Sequence, residues 1–190
     1  MVHTPTALAI IPCGSGNGLA RHLHIPLSPH KAIDIINHGI VHSLDYGTIN
    51  DRLLLHLRRG FDAFISEKFA TAGKRGPLTY IENTLKSGLK YKPKLIRSKM
   101  KTAQKVARHF LIACANASQY GNDAFIAPGA SMKDGLLDVV VMKPFNTIEA
   151  PQVALQLFTR KLAGSNHVHT YKAQKLINQK RIGRCGTLRW

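Results

Sequence analysis

Ile10-Ile11-Pro12-Cys13-Gly14-Ser15-Gly16-Asn17-Gly18-Leu19-Ala20-Arg21 carries three glycines at alternate positions between an apolar run and a helical one. The apolar run from Ala7 to Ile11 reads as a buried strand, and glycines at 14, 16 and 18 then open a helix. Glycine reaches backbone angles that other residues resist, so such a loop can curl round an anion. Amides at the start of the following helix point at that anion, aided by the helix dipole. Gly14, Ser15, Gly16 and Asn17 are therefore the candidate phosphate cradle. The competing reading is a glycine-rich strand-to-helix turn with no ligand.

Several better-known loops are excluded. The segment lacks the Gly-Lys-Ser/Thr ending of a P-loop, and its glycine spacing misses the dinucleotide fingerprint by one residue. Asp34, where a ribose-binding acid would be sought, falls inside a predicted helix rather than at a strand end. No glycine lies two residues before Ser15, so this is not a nucleophile elbow.

Ile11 to Arg21 resembles the second nucleotide-binding motif of the diacylglycerol kinase catalytic family, which includes sphingosine kinases and bacterial lipid kinases. Further blocks follow in the family's order: Leu44-Asp45-Tyr46-Gly47, Gly60-Phe61-Asp62-Ala63, Arg75-Gly76-Pro77-Leu78-Thr79-Tyr80, Asn116-Ala117-Ser118-Gln119-Tyr120-Gly121 and Ala127 to Asp138. The resemblance covers nearly the whole chain. It implies part of an α/β nucleotide-binding domain over residues 1–42. A β-sandwich-like, lipid-holding domain with helices, incomplete at its C-terminus, is expected over residues 43–190. It further implies ATP and Mg²⁺ as cofactors, and transfer of phosphate to the hydroxyl of a diacylglycerol or sphingoid-type lipid.

Two family segments have no counterpart among these 190 residues. The first phosphate loop, Gly-Gly-Asp-Gly-Thr, is expected upstream of Met1. The base-bearing Asp-Gly-Glu-Pro segment is replaced by Arg184-Cys185-Gly186-Thr187-Leu188-Arg189-Trp190. Written as CGG TGC GGT ACA CTT CGA TGG and shifted by one base, that tail encodes Gly-Ala-Val-His-Phe-Asp-Gly, the family's approach to its catalytic segment. Leu53 to Arg59 permits a similar recoding to Phe-Phe-Cys-Thr-Cys-Gly-Val. The expectation is a frameshifted lipid kinase gene whose present product is inactive, with no catalytic residue assigned. Ordinary divergence is the alternative, because codon degeneracy makes short recodings easy to find.

In the family, a magnesium site falls at positions that match Ser131, Asp134 and Leu136, the leucine through its backbone. Mg²⁺ favours oxygen ligands, and a tight Lys133-Asp134-Gly135 turn can point a carboxylate at one cation. The competing reading is a plain turn before the strand from Leu137 to Met142.

Lys and Arg total 27 against 10 acids, a formal net charge of +17. Lys86 to Arg108 carries nine basic residues and no acid, and no acid follows Glu149. Such a surface attracts polyanions, with an anionic leaflet contributing about 1 kcal/mol per nearby Lys or Arg. Charge alone points to nucleic acid. The family resemblance instead favours docking of a cytoplasmic protein at the inner, acidic face of the membrane, where ATP and a lipid substrate meet. The alternative function is a non-catalytic basic protein that binds acidic membranes or nucleic acid.

Other signals are weaker. No apolar run approaches the about 20 residues of a membrane-spanning helix. Cys13, Cys114 and Cys185 are widely spaced and suggest neither disulfide nor zinc. The ten histidines show no metal-binding pattern; His22 and His24 fall on different helix faces, and His167 and His169 share a strand face without a nearby acid. Asp45 and Asp62 match family positions and fit structural or functional roles equally. Gln119 and Tyr120 are candidates to line a lipid cleft. Helices are predicted from Pro29 to Gly39, after Gly76-Pro77, and from Pro151 to Ala163. Strands are predicted over Leu44 to Ile49, Phe110 to Ala115 and Leu136 to Met142.

Overall fold

The computed structural model describes residues 4–49, 52–54, 56–60, 94–100, 103–146, 148–178 and 186–189. Asp62, the block from Arg75 to Tyr80, its helix and Cys185 lie outside these residues.

Leu111-Ile-Ala-Cys-Ala115 and Leu137-Asp-Val-Val-Val-Met142 are short apolar runs with β-branched residues, suited to strands covered on both faces. They form β6 (Leu111–Ala115) and β7 (Leu137–Met142). These central strands sit in a four-stranded antiparallel sheet of order β3-β6-β7-β8, with β3 at His56–Gly60 and β8 at Val168–Ala173. A second sheet has the order β2-β1-β10-β9-β4-β5. Its strands are β1 (Gly47–Ile49), β2 (Arg52–Leu54), β4 (Lys94–Met100), β5 (Ala103–His109), β9 (Leu176–Asn178) and β10 (Gly186–Arg189).

Register decides which residues enter the core. Leu111, Ala113 and Ala115 pair with Met142, Val140 and Asp138 in turn. Because side chains alternate along a strand, these six share one face. Val168, opposite Met142, extends the face, and Ile126, Ala127 and Ala130 from the loop after β6 pack on it with Val153 and Leu162. The opposite face gathers Cys114, Leu137 and Val139. Burial there pushes the Cys114 thiol up to about 12, which leaves it unreactive.

Among the described residues three helices accompany the sheets: α1 (Gly18–His22), α2 (Pro29–His38) and α3 (Ala150–Phe158). For α2, Ser28 precedes the proline at the first helical position and Gly39 follows the end, although the Ser28 side chain makes no capping bond. The chain enters α3 through a reciprocal pair: the Asn146 amide donates to Glu149 Oε2 at 2.8 Å, and the Glu149 amide to Asn146 Oδ1 at 2.9 Å. The pair has the reciprocal form of a capping box, set about one turn ahead of the helix. α3 stops at Phe158 rather than Ala163, and a 3-10 turn over Leu162–Gly164 takes its place.

Two expectations are corrected. Ala7 to Ile11 is not a strand: it has no ladder partner among the described residues, and Leu8 and Ile11 are exposed. The strand expected from Leu44 begins only at Gly47. α2 buries only Ala32 and leaves Ile33, Ile35 and Ile36 about half exposed, while Ile40 and Val41 beyond it are 83% and 77% exposed.

Candidate functional site

The glycine loop closes on itself through one side chain. Asn17 sits in the left-handed region (φ 48°), which asparagine tolerates better than most residues. Its Oδ1 accepts from the Gly14 amide at 2.9 Å, and its Nδ2 donates to the Gly14 carbonyl at 2.7 Å. Asn17 is thus the clasp of the loop, and the Gly14 amide is already taken. The Ser15 and Gly16 amides and the Ser15 hydroxyl make no hydrogen bond among the described residues, and Ser15 is exposed. α1 ends after five residues, so the helix dipole contributes far less than the sequence implied.

A second loop, about a hundred residues on, holds the first in place. The Asn122 amide donates to the Gly16 carbonyl at 3.0 Å. A Cβ on Gly18 would stand 2.9 Å from the Tyr120 carbonyl, and one on Gly121 (φ +118°) would stand 2.8 Å from the Gly16 oxygen. Both glycines are required by this backbone-to-backbone approach. Arg21 reaches Asp123 at 2.7 Å, and His22 Nδ1 lies 3.1 Å from the Ser118 amide and 2.9 Å from its hydroxyl.

Since an amide only donates, His22 Nδ1 must be the acceptor. Burial, and secondarily electrostatic repulsion from the His24 ring, lower the His22 pKa below the ordinary imidazole range. The unfolded chain therefore binds more protons here as the medium acidifies. Stability linked to His22 is fully present above about pH 6.5 and falls as pH drops through the lower folded-state value. Urea midpoints measured across this range are expected to fall on acidification, with a shallower fall in His22→Gln.

The second candidate site is the turn before β7. Asp45 braces it: Asp45 Oδ2 accepts from the Gly135 amide at 2.6 Å, the Asp45 amide donates to the Met132 carbonyl at 2.7 Å, and the Asp45 carbonyl accepts from Asn116 Nδ2 at 2.8 Å. Within the turn, Ser131 Oγ accepts from the Lys133 amide at 3.2 Å and Asp134 Oδ1 from the Leu136 amide at 3.1 Å. Ser131, Asp134 and Leu136 are thus brought together.

A fourth residue, which the sequence did not suggest, joins them. Lys172 Nζ lies 2.6 Å from Asp134 Oδ2 and 3.9 Å from Asp138 Oδ2. That hydrogen bond holds the Asp134 carboxyl below the usual carboxylate range and raises the Lys172 ammonium. Burial pushes Asp138 the other way, with Lys172 opposing it. A divalent cation tests badly against this donor set. Mg²⁺ demands near-octahedral oxygens at about 2.0–2.1 Å, whereas Asp134 Oδ2 already faces an ammonium. Both Asp134 oxygens are thus engaged, Oδ1 by the Leu136 amide and Oδ2 by the Lys172 ammonium.

The remaining candidates fall elsewhere. Gln119 is buried and its Oε1 accepts from the Asp123 amide at 3.2 Å, so it shapes the clamping loop rather than a lipid cleft. Tyr120 is half-buried against the core. His167 does have an acid beside it, with Glu149 Oε1 3.3 Å away, because α3 returns its start to the strand entry. Among the described residues no group of three His, Cys, Asp or Glu is placed to hold a metal, and no helix is long and apolar enough to cross a membrane.

Comparison with known proteins places the chain. Residues 56–183 match the YegS C-terminal NAD kinase beta sandwich-like domain, and residues 1–49 match the diacylglycerol kinase catalytic domain. The probable YegS-like lipid kinase of Chromohalobacter salexigens is 29% identical over 148 residues, covering 76% of this chain and 48% of its own length. The diacylglycerol kinase of Bacillus subtilis is 25% identical over 187 residues, covering 89% of this chain and 57% of its own. The chain thus spans about half the length of these curated relatives. A crystal structure of a diacylglycerol kinase from Bacillus anthracis superposes with a TM-score of 0.69 at 17% identity, covering 98% of this chain and 64% of the other. With a β-sandwich-like domain preceded by a match to the diacylglycerol kinase catalytic domain, the chain belongs to the YegS and diacylglycerol kinase family.

Proposed function

We propose that this chain is the nucleotide-cradling and lipid-facing part of a kinase that transfers phosphate from ATP to the hydroxyl of a diacylglycerol or sphingoid-type lipid. Residues 1–42 belong to the nucleotide-binding domain and residues 43–190 to the lipid-binding domain in this reading. The observation that carries it is the clasped loop at Gly14, Ser15, Gly16 and Asn17. Among the described residues its Ser15 and Gly16 amides have no protein partner, and its back is fixed by the Asn122 bond.

Phosphoryl transfer is mostly positioning and charge stabilisation, so a rigid set of unpaired donors is the useful contribution of such a loop. Mg²⁺, arriving with the nucleotide, would supply charge neutralisation on the phosphates. Asn17 fixes the loop shape, while the Ser15 and Gly16 amides and the Ser15 hydroxyl are the groups that meet phosphate oxygens. Ser131, Asp134 and Leu136 form a cation-holding turn that fastens Asp45 to the start of β7. The net charge of +17 draws the protein to an acidic membrane surface, where its lipid resides.

The test is a titration of the chain with a fluorescent ATP analogue, alongside phosphorylation of diacylglycerol in mixed micelles. Saturable binding that weakens by about tenfold in Asn17→Ala, about 1.4 kcal/mol, is the expected result. Binding of anionic vesicles or DNA with no nucleotide binding at all would favour the non-catalytic basic protein instead.

A further inference from the structure

The turn before β7 carries its own positive charge. Register sets Lys172 of β8 opposite Asp138 of β7. From there Nζ extends to Asp134, 2.6 Å from Oδ2, and stays 3.9 Å from Asp138 Oδ2. Asp138 is only 3% exposed, and its Oδ2 has no hydrogen-bond partner among the described residues. A buried carboxylate of this kind needs a positive charge nearby, because burial without compensation is costly.

We propose that the Lys172 ammonium is a tethered cation that takes the place of a divalent metal at this turn, compensating Asp134 and Asp138 together. This rests on reading Ser131, Asp134 and Leu136 as a cation-holding turn. The contacts around Asp134 show why a metal is excluded while Lys172 is present. Oδ1 accepts from the Leu136 amide at 3.1 Å, Oδ2 faces the ammonium, and Ser131 Oγ accepts from the Lys133 amide. A metal would have to displace one cation from an oxygen while being repelled by it. Lys172 is carried on a strand whose ladder to β7 runs from Leu137↔Ala173 to Met142↔Val168, so its charge never diffuses away. The turn is thereby held closed whatever the concentration of free metal.

The experiment is Mn²⁺ binding by the full chain, read by water-proton relaxation and competed with Mg²⁺. Five proteins are compared: the parent, Lys172→Met, Lys172→Gln, Asp134→Asn, and Lys172→Met combined with Asp134→Asn. The parent is expected to show no saturable binding in the millimolar range. Either lysine variant should gain a site at least about tenfold tighter, and Asp134→Asn should abolish it. Lys172→Gln keeps a polar side chain in case Lys172→Met fails to fold.

Equal binding by the parent and the lysine variants would overturn the substitution of lysine for metal while leaving the cation-holding turn intact. No binding by either variant also overturns it. The thermal midpoint of Asp134→Asn alone then separates the two ideas. A lowered midpoint keeps the cation-holding turn, and an unchanged one removes it as well.

Discussion

Gly121→Ala is expected to destabilise the protein by about 2–5 kcal/mol. Two costs add. A φ of +118° lies where only glycine is comfortable, and a new Cβ would sit 2.8 Å from the Gly16 oxygen and 2.9 Å from the Gly16 carbonyl carbon. Neither neighbour is a flexible side chain, so the two backbones must part. The Asn122 to Gly16 hydrogen bond then lengthens, and the glycine loop loses its backing. Urea unfolding gives the stability change, and nucleotide binding gives the loss of the loop. Gly129→Ala is the control, because nothing lies within 4 Å of its Cβ position; its effect should stay within about 0.5 kcal/mol.

Leu162→Ala is expected to cost about 3 kcal/mol, lowering the thermal midpoint by about 6–12 °C. Leu162 is fully buried, held by the 3-10 turn against the core that Val140 and Val168 share. The turn is pinned through its ends: the Ser165 amide donates to the Leu162 carbonyl at 3.0 Å and the Val168 amide to the Ser165 carbonyl at 3.0 Å. The site cannot collapse readily, which favours a cavity over repacking. Leu155→Ala on the same connection, 64% exposed, should change stability little. Equal midpoints for the two variants would show that the core does not close over Leu162.

What the sequence revealed followed from local rules. Ser28-Pro29 and Gly39 bracket α2 because proline and glycine fix backbone angles without help from elsewhere. β6 and β7 were legible because a short apolar run with β-branched residues suits a strand buried on both sides. Ala7 to Ile11 has a similar composition and is not a strand, since a strand exists only against a partner. α1 stops early because His24 turns into the left-handed region (φ 57°), which composition does not announce. Asn146 and Glu149 were a readable cap signal that the apolar spacing of α3 obscured.

The site divides along the same line. Gly14 to Asn17 and Ser131 to Leu136 were visible as turns because their key bonds span two or three residues. Their supports were not. Tyr120-Gly121-Asn122 backs the first loop from a hundred residues away, and Lys172 enters the second only through the β7 to β8 register. His22 and Ser118 meet across 96 positions, with no periodicity that could have paired them.

The uncovered isoleucines of α2 bear on how copies of this chain behave toward one another. A polypeptide with a water-facing apolar helix and a charge of +17 resembles a charged colloid: like charges hold the sticky faces apart. That barrier reaches only as far as the ionic atmosphere allows, about 30 Å at 0.01 M salt and about 3 Å at 1 M. Dispersal of the chain is consequently a property of the buffer as much as of the fold, and salt that quiets the basic surface lets the isoleucine faces meet.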